Sequence, residues 1–144
     1  MTPVFVTLCE TLFFAAFPLI EKKPMALEHA ARKNDDFMIV SMPPDVCLTP
    51  VGNAIVPIPY PIVAKLGGSS QVSPNVRFDG DPAFMHNESF VNAVKGDEPG
   101  SKGGVVTGTN KLISHAILHS PSVRVNGKPL VRTADQMWMN QRKP

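Results

Sequence analysis

Ser114 stands beside His115, and six carboxylates, Asp79, Asp81, Glu88, Asp97, Glu98 and Asp135, are spread over the chain from residue 79 onward. These residue types perform nucleophilic and acid–base catalysis, but their spacing does not assemble them. Neighbouring side chains on a strand point to opposite faces, so adjacency alone gives Ser114 no base. The carboxylates fall in turn-rich stretches, where capping and loop formation account for them. A second motif with chemical potential is Lys95-Gly96-Asp97-Glu98-Pro99-Gly100-Ser101-Lys102-Gly103-Gly104. It lacks P-loop spacing, and its two acids would repel phosphate, so it reads as a loop held by packing. A non-enzymatic role is the expectation.

Charge and cysteine usage narrow the classes further. Lysine and arginine total 14 against 12 acids, a net charge of +2, which offers no electrostatic footprint for nucleic acid. Cys9 and Cys47 lie far apart in regions of different character, so no disulfide framework is expected and synthesis in a reducing compartment is the simpler reading. The 15 prolines, about twice average usage, are spread along the chain and argue against long helices after residue 42. A length of 144 residues suits one domain with an appendage. The expected division is an N-terminal extension over 1–42 and a β-rich domain over 43–144.

The elements that organise this domain are a repeat. Ser73-Pro74-Asn75-Val76-Arg77-Phe78-Asp79-Gly80-Asp81-Pro82 returns 47 residues later as Ser120-Pro121-Ser122-Val123-Arg124-Val125-Asn126-Gly127-Lys128-Pro129, identical at six of ten positions. Asp79-Gly80 and Asn126-Gly127 tolerate positive φ at both centres of a type I′ turn, so each copy predicts a two-residue hairpin. Val125 should then pair with Lys128, and Arg124 with Pro129. The Arg124–Pro129 pair is the non-hydrogen-bonded kind, in which the missing proline donor points away from its partner. Val123, Val125 and Leu130 share one face, as do Val76, Phe78 and Ala83.

The rest of the chain reads in simpler terms. Residues Val4 to Ile20 are mostly apolar and are followed by Lys22 and Lys23, the reverse of a secretory signal. Three readings stay open for this stretch: a dispensable extension upstream of a true start at Met25, a hydrophobic helix covered by a partner such as a chaperone, and a short membrane span. Met25 to Lys33 suits a short helix with His29 on its solvated side. Phe37 to Val40 reads as a strand, and Pro43-Pro44 as a boundary. In Ile55-Val56-Pro57-Ile58-Pro59-Tyr60-Pro61 the alternating prolines exclude a central strand and predict an edge. Gly67-Gly68-Ser69-Ser70 reads as a flexible turn, and Val105 to Leu118 as strand.

Taken in order, Pro44-Asp45-Val46-Cys47-Leu48-Thr49-Pro50, Pro57-Ile58-Pro59-Tyr60-Pro61, Gly96-Asp97-Glu98-Pro99-Gly100-Ser101 and the twin hairpins resemble the PAAR-like family over about residues 43 to 140. The motif Pro-Ala-Ala-Arg that names the family keeps both ends in Pro129-Leu130-Val131-Arg132, and only its first two residues in Pro82-Ala83-Phe84-Met85. The resemblance implies a small all-β cone that tips the trimeric spike of a bacterial type VI secretion system. Such a protein waits in the bacterial cytoplasm and leaves with the spike into the target cell. Because the sequence stops at Pro144, a toxin would be a separately encoded cargo effector.

The resemblance also implies one zinc ion near the apex, held by histidines and a cysteine. The candidates are Cys47, His86, His115 and His119, types that suit tetrahedral zinc. The family's histidine after the second hairpin is absent, since Asp135-Gln136-Met137-Trp138-Met139-Asn140 stands there. In a strand, His115 and His119 would lie about 13 Å apart. Docking on a trimer asks for three similar arms. The hairpins supply two, and Thr49 to Pro61, with its Gly52-Asn53 turn signal, is the expected third. Ile58, Pro59, Tyr60, Pro82, Ala83, Pro129 and Leu130 are thus the expected docking or supporting residues. A small metal-dependent hydrolase and a membrane-anchored accessory protein are the alternatives.

Overall fold

The computed structural model describes residues 4–8, 29–92 and 94–141. Strands dominate. In chain order they are β1 (Val4–Leu8), β2 (Phe37–Ser41), β3 (Asp45–Val51), β4 (Ala54–Tyr60), β5 (Val63–Lys65), β6 (Ser69–Ser70), β7 (Arg77–Phe78), β8 (Asp81–Pro82), β9 (Phe90–Val91), β10 (Ile113–Ala116), β11 (Arg124–Val125), β12 (Lys128–Pro129) and β13 (Gln136–Gln141). A single 3₁₀ turn, Leu66–Gly68, is the helical content among the described residues. It takes the place of the flexible turn expected at residues 67–70. Leu66 is fully buried and Ser69 nearly so, which anchors that stretch.

Seven strands form an antiparallel sheet in the order β5-β2-β1-β13-β10-β9-β6. Its buried side carries Phe37, Ile39, Ala64, Val91, Ala116, Met137 and Met139, which pack with Ala31, Ile62, Leu66, Phe84, Val94 and Val131 into the main core. In β2, burial alternates from Phe37 to Ile39, the period of a strand with one face inward. β1 pairs with β2 from Val4↔Ser41 to Leu8↔Phe37, and with β13 on its other side. Residues 4–8 and 37–41, expected to precede the domain, therefore run through its sheet, and Ala31, Phe37 and Ile39 enter its core. Residues 9–28, where most of the hydrophobic segment and the start of the expected helix fall, lie outside the described residues.

The described end of that helix is extended instead: Ala30 and Arg32 form antiparallel bridges to Arg132 and Ala83. Alanine-rich composition favours a helix locally, but burial of Ala31 against the core decides the conformation.

Three ribbons stand apart from the large sheet. In β7–β8, Arg77 pairs with Pro82 and Phe78 with Asp81; in β11–β12, Arg124 pairs with Pro129 and Val125 with Lys128, as the turn chemistry predicts. Asp79, Gly80, Asn126 and Gly127 all have positive φ. The copies repeat their hydrogen bonds as well as their letters. Ser73 and Ser120 cap the Val76 and Val123 amides through Oγ at 3.0 and 3.1 Å, while Arg77 and Arg124 reach the Gly80 and Gly127 carbonyls at 2.9 and 3.2 Å. The third ribbon is β3–β4, joined by Gly52-Asn53. Pro57 and Pro59 sit on β4, which pairs with β3 alone, so the edge expected from the alternation is found.

Candidate functional site

Three short segments, 29–33, 82–86 and 129–133, close on one another as a triangle. Each pair shares two backbone hydrogen bonds. Lys33 donates to Pro82 and Phe84 to Ala31, both at 2.9 Å; His86 donates to Pro129 and Val131 to Phe84, at 2.9 and 3.2 Å; Thr133 donates to His29 and Ala31 to Val131, at 2.8 and 2.9 Å. Each segment thus donates to one neighbour and accepts from it in the same pattern, which defines a pseudo-three-fold axis. Ala31, Phe84 and Val131 are equivalent positions, fully buried on the main-core side. Ala30, Ala83 and Leu130 are likewise equivalent and join Met85, Val125, Val76 and Phe78 in a second, smaller core under the hairpins.

This triangle corrects the expected third arm. Thr49 to Pro61 is a hairpin, but the segment that completes the three-fold pattern is His29-Ala30-Ala31-Arg32. The signal was present in the sequence, since Ala-Ala-Arg is the end of the motif that Pro129-Leu130-Val131-Arg132 follows only at its edges. It stands 53 residues before the equivalent segment at 82–86, not 47, and no Asn-Gly or Asp-Gly precedes it closely. Of the expected docking residues, Ala83 and Leu130 are buried inside the second core, and Pro82 and Pro129 are half-buried with carbonyls in the triangle. Ile58, Pro59 and Tyr60 belong to β4, and the Tyr60 hydroxyl hydrogen-bonds Thr49 Oγ1 at 2.8 Å. Arg32 of the third segment ties the arms together: it pairs with Asp79 at 2.8 Å and lies over the Phe37 ring.

The four expected zinc ligands do not share one point. His86 and His119 meet as a tilted pair with ring centroids 4.4 Å apart. Burial, then the His119 charge, holds the His86 imidazole below the usual histidine range. His115 is buried on β10, in register with Trp138 and Phe90. Ser114 beside it donates its hydroxyl to the Trp138 carbonyl at 2.6 Å. Cys47 lies on β3 beneath the glycine loop. Strand geometry separates the set: His86 belongs to the triangle, His115 to the large sheet and Cys47 to a different ribbon.

Cys47 has other company. Asp45, Cys47 and Asp97 bring one ligand atom each to within 4.8 Å of one another, the one such group among the described residues. Asp45 and Cys47, two apart on a strand, share a face. Asp97, expected as an ordinary turn acid, is fully buried. Asn140 from β13 joins the acids, its amide donating to Asp97 Oδ2 at 2.6 Å and Asp45 Oδ2 at 2.8 Å. Burial, then the neighbouring Asp45 and Asp97 charges, pushes the Cys47 thiol up to about 12. Glycines let the loop close over this point. A Cβ on Gly100 would stand 2.3 Å from Cys47 Cβ. The loop is held by packing, as its composition predicts, and it also lines β3: Leu48 donates to Gly103, and Val105 to Val46, each at 2.8 Å.

These features define a small β-rich protein in which a duplicated hairpin and a third strand are arranged about a pseudo-three-fold axis. Residues 38–144 match the family described as the toxin PAAR-like domain, and the chain belongs to that family. No curated protein and no solved structure gives a match.

Proposed function

We propose that this protein caps the trimeric spike of a bacterial type VI secretion system, sharpens it for membrane puncture, and helps to recruit or deliver separately encoded effectors. It acts through shape and partner binding, with no chemical step. It resides in the bacterial cytoplasm before firing and travels with the spike into the target cell. The observation that carries this reading is the triangle. A single chain that docks on a three-fold end must offer a surface repeated three times about one axis, and here 29–33, 82–86 and 129–133 repeat in that way. Two of the three segments, 82–86 and 129–133, carry matching hairpins over the second core, whereas the seven-stranded sheet and β3–β4 do not repeat. The hairpin end is therefore assigned as the docking base.

Co-purification with the trimeric spike protein tests this. Val123 is 46% exposed and Val76, its equivalent, is half-buried. Val123→Asp should weaken association while circular dichroism stays unchanged; Val76→Asp should weaken it too, and because Val76 also packs on the second core its result counts once circular dichroism shows the variant folded. Val56→Asp and Val106→Asp, both at exposed positions away from the hairpins, should leave it intact. Association lost in the second pair and kept in the first would reverse the assignment, and association kept in all four would remove the hairpin end as base.

A further inference from the structure

We propose that two clefts at the hairpin end receive the same protruding turn from two subunits of the trimeric spike, an inference that rests on the spike-capping reading. The first cleft, of about 470 Å³, is lined by Pro74, Asn75 and Met85 together with Asn126 and Lys128 of the second hairpin. The second, of about 660 Å³, is lined by Pro121, Ser122 and Arg132 together with Phe78 and Asp79 of the first hairpin. One wall is common to both. Pro74 and Pro121, Asn75 and Ser122, and Met85 and Arg132 are each separated by 47 residues, the offset of the hairpins. The step around the triangle is shared as well, since Met85 forms an antiparallel bridge to Leu130 and Arg132 forms one to Ala30. The lead-in to the third segment lies outside the described residues. A homotrimer repeats a single surface element about its axis, so a cap whose pseudo-three-fold axis coincides with that axis meets the same element at both clefts.

The linings specify the chemistry of that element. Apolar groups contribute to each, Val72, Pro74 and Met85 in one and Pro121, Val123 and Leu130 in the other, so each cleft suits an apolar side chain. The charges are already matched within the chain: Lys128 pairs with Glu88 at 3.6 Å, Arg132 with Asp135 at 3.1 Å and Asp79 with Arg32 at 2.8 Å. A further charge brought in would lose its water without gaining an unpaired counter-charge. The donors that both clefts hold at equivalent, exposed positions are neutral, the Asn75 amide and the Ser122 hydroxyl, and a main-chain carbonyl complements either. The element is therefore a short, uncharged turn with carbonyls outward and one apolar side chain.

The test uses the full chain with the spike trimer and places a photo-reactive side chain at each cleft. Asn75→benzoylphenylalanine and Ser122→benzoylphenylalanine should crosslink to the same stretch of the spike subunit when the captured peptides are read by mass spectrometry, and Val56→benzoylphenylalanine, at an exposed position on β4, should capture none of it. Asn75→Trp and Ser122→Trp, which plug one cleft each, should each weaken spike binding about tenfold. Crosslinks from 75 and 122 to different stretches, crosslinks from one of them alone, or unchanged affinity in both tryptophan variants would overturn the two-cleft proposal and leave capping in place. A parent chain that does not co-purify with the spike would refute capping, and the clefts with it. Should a crosslinking variant fail to fold, the tryptophan affinities decide.

Discussion

Gly100→Ala isolates one contact that the architecture cannot rearrange. The added Cβ would lie 2.3 Å from Cys47 Cβ, 3.2 Å from the Asp97 carbonyl oxygen and 3.3 Å from Cys47 Sγ. The first of these atoms is fixed to the β3 backbone, and Gly100 is itself held by the hydrogen bond that its N–H donates to the Asp97 carbonyl at 2.9 Å. No side-chain rotation relieves the overlap, so the loop must lift from the ribbon. Overpacking of this kind costs about 3 kcal/mol. With a urea slope of about 2 kcal/mol per molar, the midpoint should fall by about 1.5 M. Trp138, the single tryptophan, reports the transition by fluorescence. Gly127→Ala is the matched comparison, because its Cβ meets nothing within 4 Å and its cost comes only from φ +78°. That strain is worth about 1 kcal/mol, so the first variant should fall further than the second. In a Cys47→Gly background, Gly100→Ala should lose most of its effect. A midpoint within about 0.3 M of the parent, or an undiminished effect in that background, would refute the packing argument.

Gly127→Val, with a β-branched side chain at the same positive φ, should cost a few kcal/mol and lower the melting temperature accordingly. Truncation to Met25 removes β1 and exposes facing edges of β2 and β13, so the truncated chain should lose cooperative unfolding in a urea titration. His86 binds its proton less readily folded than unfolded. Stability is therefore full above the unfolded value near 6.5 and falls as the pH drops from there through the depressed folded value, a slope that His86→Gln should flatten in melting scans at stepped pH. If the hairpin end is the base, as proposed, spike association should change little between low and high salt, because that docking would use apolar and backbone groups.

What the sequence disclosed follows the range of the interactions involved. The hairpins were readable to the residue pair, because Asp-Gly and Asn-Gly fix φ within four residues and alternation fixes the face. The edge character of β4 was readable from Pro57 and Pro59 for the same local reason. Ala30-Ala31-Arg32 reads as helix because propensity is a local prior, whereas the bridges of Ala30 to Arg132 and of Arg32 to Ala83 are distant contacts. Cys47 stands out in the sequence as a candidate ligand, but the histidines expected beside it lie on other elements and Asp45 and Asp97 are its neighbours. Asp45 could have been found by the two-residue period of β3. Asp97 and Asn140 could not, since they arrive through a loop closure and the last strand, which no short window of sequence contains.

The triangle also sets a limit on when the protein can fold. Its third side joins Ala31 to Val131, so the ring stays open until almost all of the described chain has left the ribosome, however early the hairpins form. β13 imposes the same delay on the large sheet, since β10 and β1 both pair with it. During synthesis, the apolar faces of Phe37, Ile39 and Phe84 thus wait without their final cover, and local hairpin stability cannot shelter them. The three-fold arrangement of the triangle makes its assembly a late, all-at-once event, with the greatest hazard of misassociation falling on the nascent chain.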